Sequence, residues 1–196
     1  KDLLWVLDAA TGKRVTTLKL TADHRDSHEW GYIAQEGDTV IGSSVRLGAE
    51  FKKYFGDAWY DKVGRDSDTA NVLSDNIFGY SKSTWKGNWS YSRGLIINPT
   101  ISLSDGKLCF LESRNADLKK DTSGREATRN LWKDIHVVCL DASTGKIIWE
   151  KPFPKTLLRT DAKGFIQVSY GAMTSEGFLA TLSEGDTNEL GKPTDK

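Results

Sequence analysis

Three arginines, a glutamate and an asparagine are the residues of this chain best suited to hold an anion or a cofactor: Arg46, Arg93, Glu112, Arg114 and Asn115. A guanidinium presents a planar fork of donors that matches carboxylate and phosphate, and a neighbouring carboxylate can orient it. Arg46 closes the run Ser43-Ser44-Val45, and Arg114 follows Glu112-Ser113, each where an apolar stretch gives way to a polar insertion. The same five residues also suit a surface ion-pair set, the plainer reading, which contributes little to stability.

Other chemistry-bearing residues are sparse. Asp23-His24-Arg25-Asp26-Ser27-His28 places two histidines near two aspartates, which are metal-ligand types, but the stretch reads as a solvated turn and no metal is assigned to it. Asp66 and Asp68 make half of a calcium loop; the D-x-D-x-D-G spacing and distal glutamate are missing. His136 stands alone on an expected strand and reads as packed or half-exposed. Cys109 and Cys139 are two ligands where zinc wants four. They fall on expected neighbouring antiparallel strands, so a cross-strand bridge and two buried thiols both stand, the thiols being the expectation. Asn88-Trp89-Ser90 is a formal glycosylation acceptor that overlaps a turn motif. No nucleophile–base–acid set and no paired carboxylates occur at a recognised spacing, and whether the chain is an enzyme stays open.

Composition bounds the partners. The 196 residues suffice for one domain with a substantial core. Twenty-seven basic and 27 acidic residues cancel, so nothing draws the chain to nucleic acid or an anionic membrane. No run approaches the ~18 apolar residues of a membrane span.

The elements that must position these residues repeat. Val138-Cys-Leu-Asp-Ala-Ser-Thr-Gly-Lys-Ile-Ile-Trp149 reads as strand, tight turn, strand, with Gly145 free to take positive φ and Asp141 able to bond the turn's own backbone. A first copy, Val6 to Lys13, aligns with Val6 on Cys139 and has Thr16 where Trp149 stands. A worn copy, Tyr80 to Trp89, has Ser81 for the aspartate and Trp85 for the glycine. Inner hairpins are expected at Trp30–Val45, Pro99–Ser113 and Tyr170–Glu184, aligned on Gly37, Gly106 and Gly177. Gly31, Thr100 and Gly171 then share one position, where small side chains suit a crowded innermost strand. Internal repetition fixes architecture before any other signal.

The pattern A/L-x-D-x-x-T-G-K-x-x-W, complete at Leu140, Asp141, Thr144, Gly145, Lys146 and Trp149, resembles the repeat of pyrroloquinoline-quinone-type β-propellers. That family includes quinoprotein alcohol dehydrogenases and a propeller lipoprotein of outer-membrane assembly. The resemblance implies an all-β fold of four-stranded antiparallel blades, about three blade-equivalents in this chain. They divide as a half blade 1–20, blades 28–93 and 94–153, and a half blade 164–196. Insertions follow the second strand of each repeat, at Arg46–Asp75, Asn115–Asp134 and Gly185–Lys196, all expected on one face. Phe51, Tyr54 and Phe55 suit a short helix in the first, and with Trp59 and Tyr60 they read as glue onto the blade below rather than a binding surface. The second is almost wholly polar and reads as a solvated loop. On this folding Arg93 joins Arg46 and Arg114 on the insertion face.

Propellers close with four to eight blades, so this count leaves open edges. The expectation is a piece of a longer propeller; the alternative is a ring completed by several chains, the half blade at Lys1 completing that at Lys196 of a neighbour. The resemblance implies a non-catalytic binding or assembly scaffold, with protein partners or further blades as its contacts. Alternatives are part of a quinoprotein oxidoreductase using pyrroloquinoline quinone and calcium on an alcohol or sugar, and a carbohydrate-binding or hydrolytic propeller. The absence of adjacent cysteines counts against an alcohol dehydrogenase of that family. An extracytoplasmic location follows from the resemblance alone.

Overall fold

Alternating apolar residues and glycine-bearing turns build this chain from antiparallel strands. The computed structural model describes residues 3–20, 26–49, 70–120, 124–127, 134–152, 164–174 and 177–186. Among them there is no α-helix, only strands, turns and two short 3-10 turns. The expected short helix at Phe51, Tyr54 and Phe55 lies outside the described residues, as do Trp59, Tyr60, His24, Asp66 and Asp68.

The strands are β1 (Leu3–Leu7), β2 (Arg14–Lys19), β3 (His28–Glu36), β4 (Thr39–Arg46), β5 (Ala70–Ser81), β6 (Gly87–Tyr91), β7 (Leu95–Ile97), β8 (Ser102–Ser104), β9 (Lys107–Ser113), β10 (Arg125–Ala127), β11 (Ile135–Asp141), β12 (Ile147–Pro152), β13 (Gly164–Thr174) and β14 (Gly177–Asp186). β3, β4, β5 and β6 form one antiparallel meander; β8, β9, β11 and β12 form a second. β1–β2 and β13–β14 are separate two-stranded sheets.

The connection from β6 to β8 contains β7, which pairs with β5 on one side and β9 on the other. It joins both meanders into one 10-stranded sheet. One row of paired residues crosses that sheet from Glu29 through Val45, Ser74, Ile96, Glu112 and His136 to Pro152. Between β7 and β8 the chain turns through a 3-10 element, Asn98–Thr100. Thr100 therefore lies in this turn and not in a strand at the position equivalent to Gly31: Pro99 has no N–H for a ladder. The Thr100 hydroxyl instead accepts from Leu111 N at 2.9 Å.

Three hairpins share one register. Val6, Gly79 and Cys139 face Thr16, Trp89 and Trp149, and each pair is followed by a bulge at the next residue. The alignment of the three turn motifs is thus also a structural one. The inner hairpins are one residue out of step with the glycine alignment. Thr39 opposes Ser81 and Lys107 opposes Asp141, so Gly106 corresponds to Asp38, and Gly37 to Asp105. Either position of a two-residue hairpin loop accepts positive φ, so a glycine marks the loop but not its first or second residue.

Side chains alternate between two layers. Ile41 and Ile77 of the first meander meet Leu108, Phe110, Val138 and Leu140 of the second. The opposite face of the first meander, with Val40, Phe78 and Tyr80, packs against Leu18, Leu20, Leu4 and Val6 of the first hairpin. Each such side chain contributes roughly 1.5–3 kcal/mol on full burial. The second insertion is less solvated than its polarity suggests. Leu118, on the second 3-10 turn, is buried beside Leu95, Leu111 and Ile135, and β10 pairs with the start of β5.

Trp89 forms the tightest joint between the meanders. Its ring lies over Gly79 of its own hairpin and against Gly145 of the next turn, where an added Cβ would come within 2.5 Å of the indole. Its Nε1–H donates to Ala142 O at 3.1 Å.

Candidate functional site

Glu112 sits on β9 in the row that crosses the sheet, with its side chain fully buried. Its Oε1 accepts from Tyr91 Oη at 2.9 Å and Arg114 Nε at 2.7 Å; its Oε2 accepts from Gly94 N at 3.1 Å. Gly94 allows that approach, because a Cβ there would meet Ser113 O and the Glu112 carboxyl at under 3 Å. Arg114 reaches on to Glu150 Oε2 of β12 at 2.8 Å, and Arg93 reaches the same oxygen at 2.9 Å. The sequence Tyr91–Glu112–Arg114–Glu150–Arg93 is one continuous network. It ties the link between the meanders to the centre and edge of the second meander.

Its charges balance: two carboxylates face two guanidiniums. Burial works against the charged form of Arg114, but hydrogen bonds to Glu150 and Glu112 outweigh it and raise its pKa above the ordinary value. The Arg114 hydrogen bond holds the Glu150 carboxyl below the usual carboxylate range. Burial, and then the Glu112 charge, push the Tyr91 phenol up, so it stays a neutral donor.

Arg93, Glu112 and Arg114 are thus brought together, whereas Arg46 and Asn115 belong elsewhere. Arg46 Nε lies 2.6 Å from Asp75 Oδ2, off the line a hydrogen bond needs, so the pair is held by charge. The same oxygen is 2.7 Å from His28 Nε2, while His28 Nδ1 is 2.7 Å from Ser27 Oγ. Asn115 accepts from Asp117 N at 3.2 Å and its carbonyl from Leu118 N, which starts the second 3-10 turn. Glu150, Tyr91 and Asp75 were not singled out from the sequence. Each lies far along the chain from its partner, and nothing local marks it.

The network does not fit calcium. Calcium takes six to eight oxygens, and both oxygens of Glu112 are occupied by donors, as is the Glu150 oxygen shared by two arginines. Among the described residues no group of three or more His, Cys, Asp or Glu could hold a metal ion. Cys109 and Cys139 stand directly opposite each other as free, buried thiols. Burial raises both pKa values, Cys109 further through its neighbour, which keeps them protonated and unreactive.

No helix among the described residues is long and apolar enough to cross a membrane. No family model matches the chain, and no curated protein matches it. Among solved structures, the crystal structure of BamB from Moraxella catarrhalis aligns over 99% of this chain and 67% of that one. The identity is 14% and the TM-score 0.24, too loose a correspondence to carry an argument.

Proposed function

We propose that this chain is part of a non-catalytic propeller of the pyrroloquinoline-quinone-type repeat, serving as a binding or assembly scaffold outside the cytoplasm. The meanders 28–93 and 94–153 are its blades, and 1–20 and 164–196 its half blades. The observation that supports this most is the Trp89 joint. A residue of one repeat is lodged against Gly145 and bonded to Ala142 of the next, which makes the repeat motif a device for packing one repeat on the next. The polar groups support the same reading. The charges around Glu112 neutralise one another and brace the link between repeats, leaving half-exposed Arg93 on the rim for a protein partner.

Adding pyrroloquinoline quinone with calcium to the purified chain tests this. A scaffold shows no change in melting temperature and no dye-linked oxidation of alcohols or sugars. A rise of several degrees accompanied by dehydrogenase activity overturns the reading in favour of a quinoprotein. Quenching of tryptophan fluorescence by glycans overturns it in favour of a carbohydrate binder.

A further inference from the structure

Along an antiparallel ladder, directly opposed residues alternate between hydrogen-bonded and non-hydrogen-bonded pairs, and in the second kind the side chains stand closer. The two ends of the β9–β11 ladder decide which kind Cys109 and Cys139 form. That ladder runs from Ile135 opposite Ser113 to Asp141 opposite Lys107. One step beyond one end, Ala142 N donates to Gly106 O at 2.8 Å; one step beyond the other, Arg114 N donates to Asp134 O at 2.9 Å. Counting inward by twos from either end makes Leu140–Leu108, Val138–Phe110 and His136–Glu112 the hydrogen-bonded pairs. Cys139–Cys109 falls between them as a non-hydrogen-bonded pair.

Such a pair has Cα atoms about 4.5 Å apart, inside the roughly 4.4–6.8 Å that a disulfide spans. Opposed side chains leave the same face of a sheet. Leu108, Phe110, Val138 and Leu140 point into the core between the meanders, so both thiols lie on the other face, the one that carries Leu111 and Ile135. The thiols are close enough to act on each other: Cys139 adds to the rise that burial gives the Cys109 pKa. The chain has no third cysteine to compete for either.

We propose that Cys109 and Cys139 close an intramolecular cross-strand disulfide when the chain folds in contact with a small-molecule disulfide such as oxidised glutathione, and that the folded sheet then seals whichever redox state the pair has. One cysteine thiolate attacks the external disulfide, forming a mixed disulfide and releasing one thiolate. The second cysteine attacks the protein sulfur of that mixed disulfide and releases the other. The pair gives up two electrons, the external disulfide takes them, and the two cysteine protons leave on the released thiols. Both cysteines are fully buried in the folded chain, so no external disulfide or thiol reaches either sulfur there. The exchange therefore belongs to the time before the sheet is covered. An oxidising compartment favours the bridged state and a reducing one the thiol state.

The bridge closes residues 110–138 into a loop that contains the second insertion, and so restricts the unfolded chain. It pins β9, the strand that carries Glu112, to β11 at the foot of that insertion. The pairing depends only on the register of β9 with β11 and holds whatever the chain as a whole binds.

Refolding the full 196-residue chain from denaturant tests it, in reductant alone or in a mixture of reduced and oxidised glutathione. Free thiols are capped with N-ethylmaleimide, before or after renewed unfolding, and the mass is read. The glutathione-refolded chain is expected to be a monomer lighter by two hydrogens. It takes no cap even when unfolded, and its digest contains a peptide linking Cys109 to Cys139. The reductant-refolded chain is expected to take no cap while folded and two when unfolded. Oxidised glutathione added to that folded thiol form is expected to act at least about tenfold more slowly than on the unfolded chain, because the sheet must open first. The bridged form is expected to melt several degrees above the thiol form, whereas Cys139→Val, which cannot bridge, melts alike after either refolding. Two cappable thiols after refolding with glutathione, glutathione left on either cysteine as the main product, disulfide-linked pairs of chains, or a bridged chain that melts below the thiol form each overturn the bridge. A folded thiol form that oxidises as fast as the unfolded chain overturns the seal.

Discussion

The Asp141 turn and the Ser81 turn have the same backbone and obtain their parts from different places. In the Asp141 turn the carboxylate is internal. Asp141 Oδ1 accepts from Ser143 N and Oγ and from Thr144 N and Oγ1 at 2.7–3.1 Å. In the Ser81 turn the equivalent carboxylate comes from Asp38, in the loop between β3 and β4. Asp38 accepts from Ser81 Oγ at 2.9 Å and from Ser83 N and Oγ at 2.9 and 3.1 Å. The backbone bonds are kept: Trp85 N donates to Ser81 O and Ser81 N to Lys86 O.

The tryptophan is exchanged in the same way. The Asp141 turn has a glycine and receives Trp89 from the preceding repeat. The Ser81 turn is preceded by Thr16 where the indole would be, and holds its own Trp85 at φ 56° in the glycine position. Trp85 packs against the cluster that joins the first hairpin to the first meander. Positive φ is costly for a bulky residue, and the surrounding burial offsets that cost. The lesson is that a repeat joint demands an aromatic ring and a carboxylate at fixed places, but not from fixed positions in the chain.

Several substitutions break or sharpen this contrast. Trp89→Ala is expected to have the largest effect, about 3–5 kcal/mol by chemical denaturation, since it empties a packed site between the two meanders. Glu112→Ala is expected to cost roughly 2–4 kcal/mol, because Tyr91 Oη and Gly94 N lose their buried acceptor while Arg114 keeps only Glu150. Equal stability of Glu112→Ala and wild type sinks the bracing role. Gly145→Ala is expected to cost more than Gly12→Ala, by about 1–3 kcal/mol. Both strain a positive φ, but only at Gly145 does the new methyl meet the Trp89 ring. Matching costs at the two positions would show that the ring is not seated there.

Asp38→Ala is expected to loosen the Ser81 turn by about 1–2 kcal/mol and leave the Asp141 turn unchanged, since it removes several exposed or half-buried hydrogen bonds. Hydrogen exchange at Ser83 N and Ser143 N distinguishes the two. The smallest effect is in pH. Hydroxyl hydrogen bonds pull Asp141 and Asp8 below the usual carboxylate range, and Arg114 does so for Glu150. Their folded pKa values lie below the unfolded ones, so their contribution is present above about pH 4 and is lost as pH falls through the folded values. Melting temperature is therefore expected to drop below about pH 4, less so in Thr144→Ala than in wild type. Identical acid limbs would remove the aspartate from the turn's stability.

Much of the fold could be read from local pattern. The span Leu3–Leu7, the hairpin around Gly37 and the strand–turn–strand around Gly145 depend on residues a few positions apart. Alternation and turn chemistry express themselves over that range. The glycine alignment of the inner hairpins was one residue off because loop glycines do not report which loop position they hold. The candidate site was half legible. Arg93, Glu112 and Arg114 do meet, while Arg46 turns to Asp75 and His28, and Asn115 starts a short turn.

By itself the sequence determined the antiparallel strands, the three equivalent turns and the even balance of charge, because each is written in neighbouring residues or in composition. Only the tertiary structure decided that Asp38 supplies a carboxylate to a turn 43 residues away, that Trp89 closes on Ala142 and that Glu150 completes the Glu112 network. Those pairings depend on which strands lie side by side and how the two meanders pack, and that brings together side chains that no local rule of spacing connects.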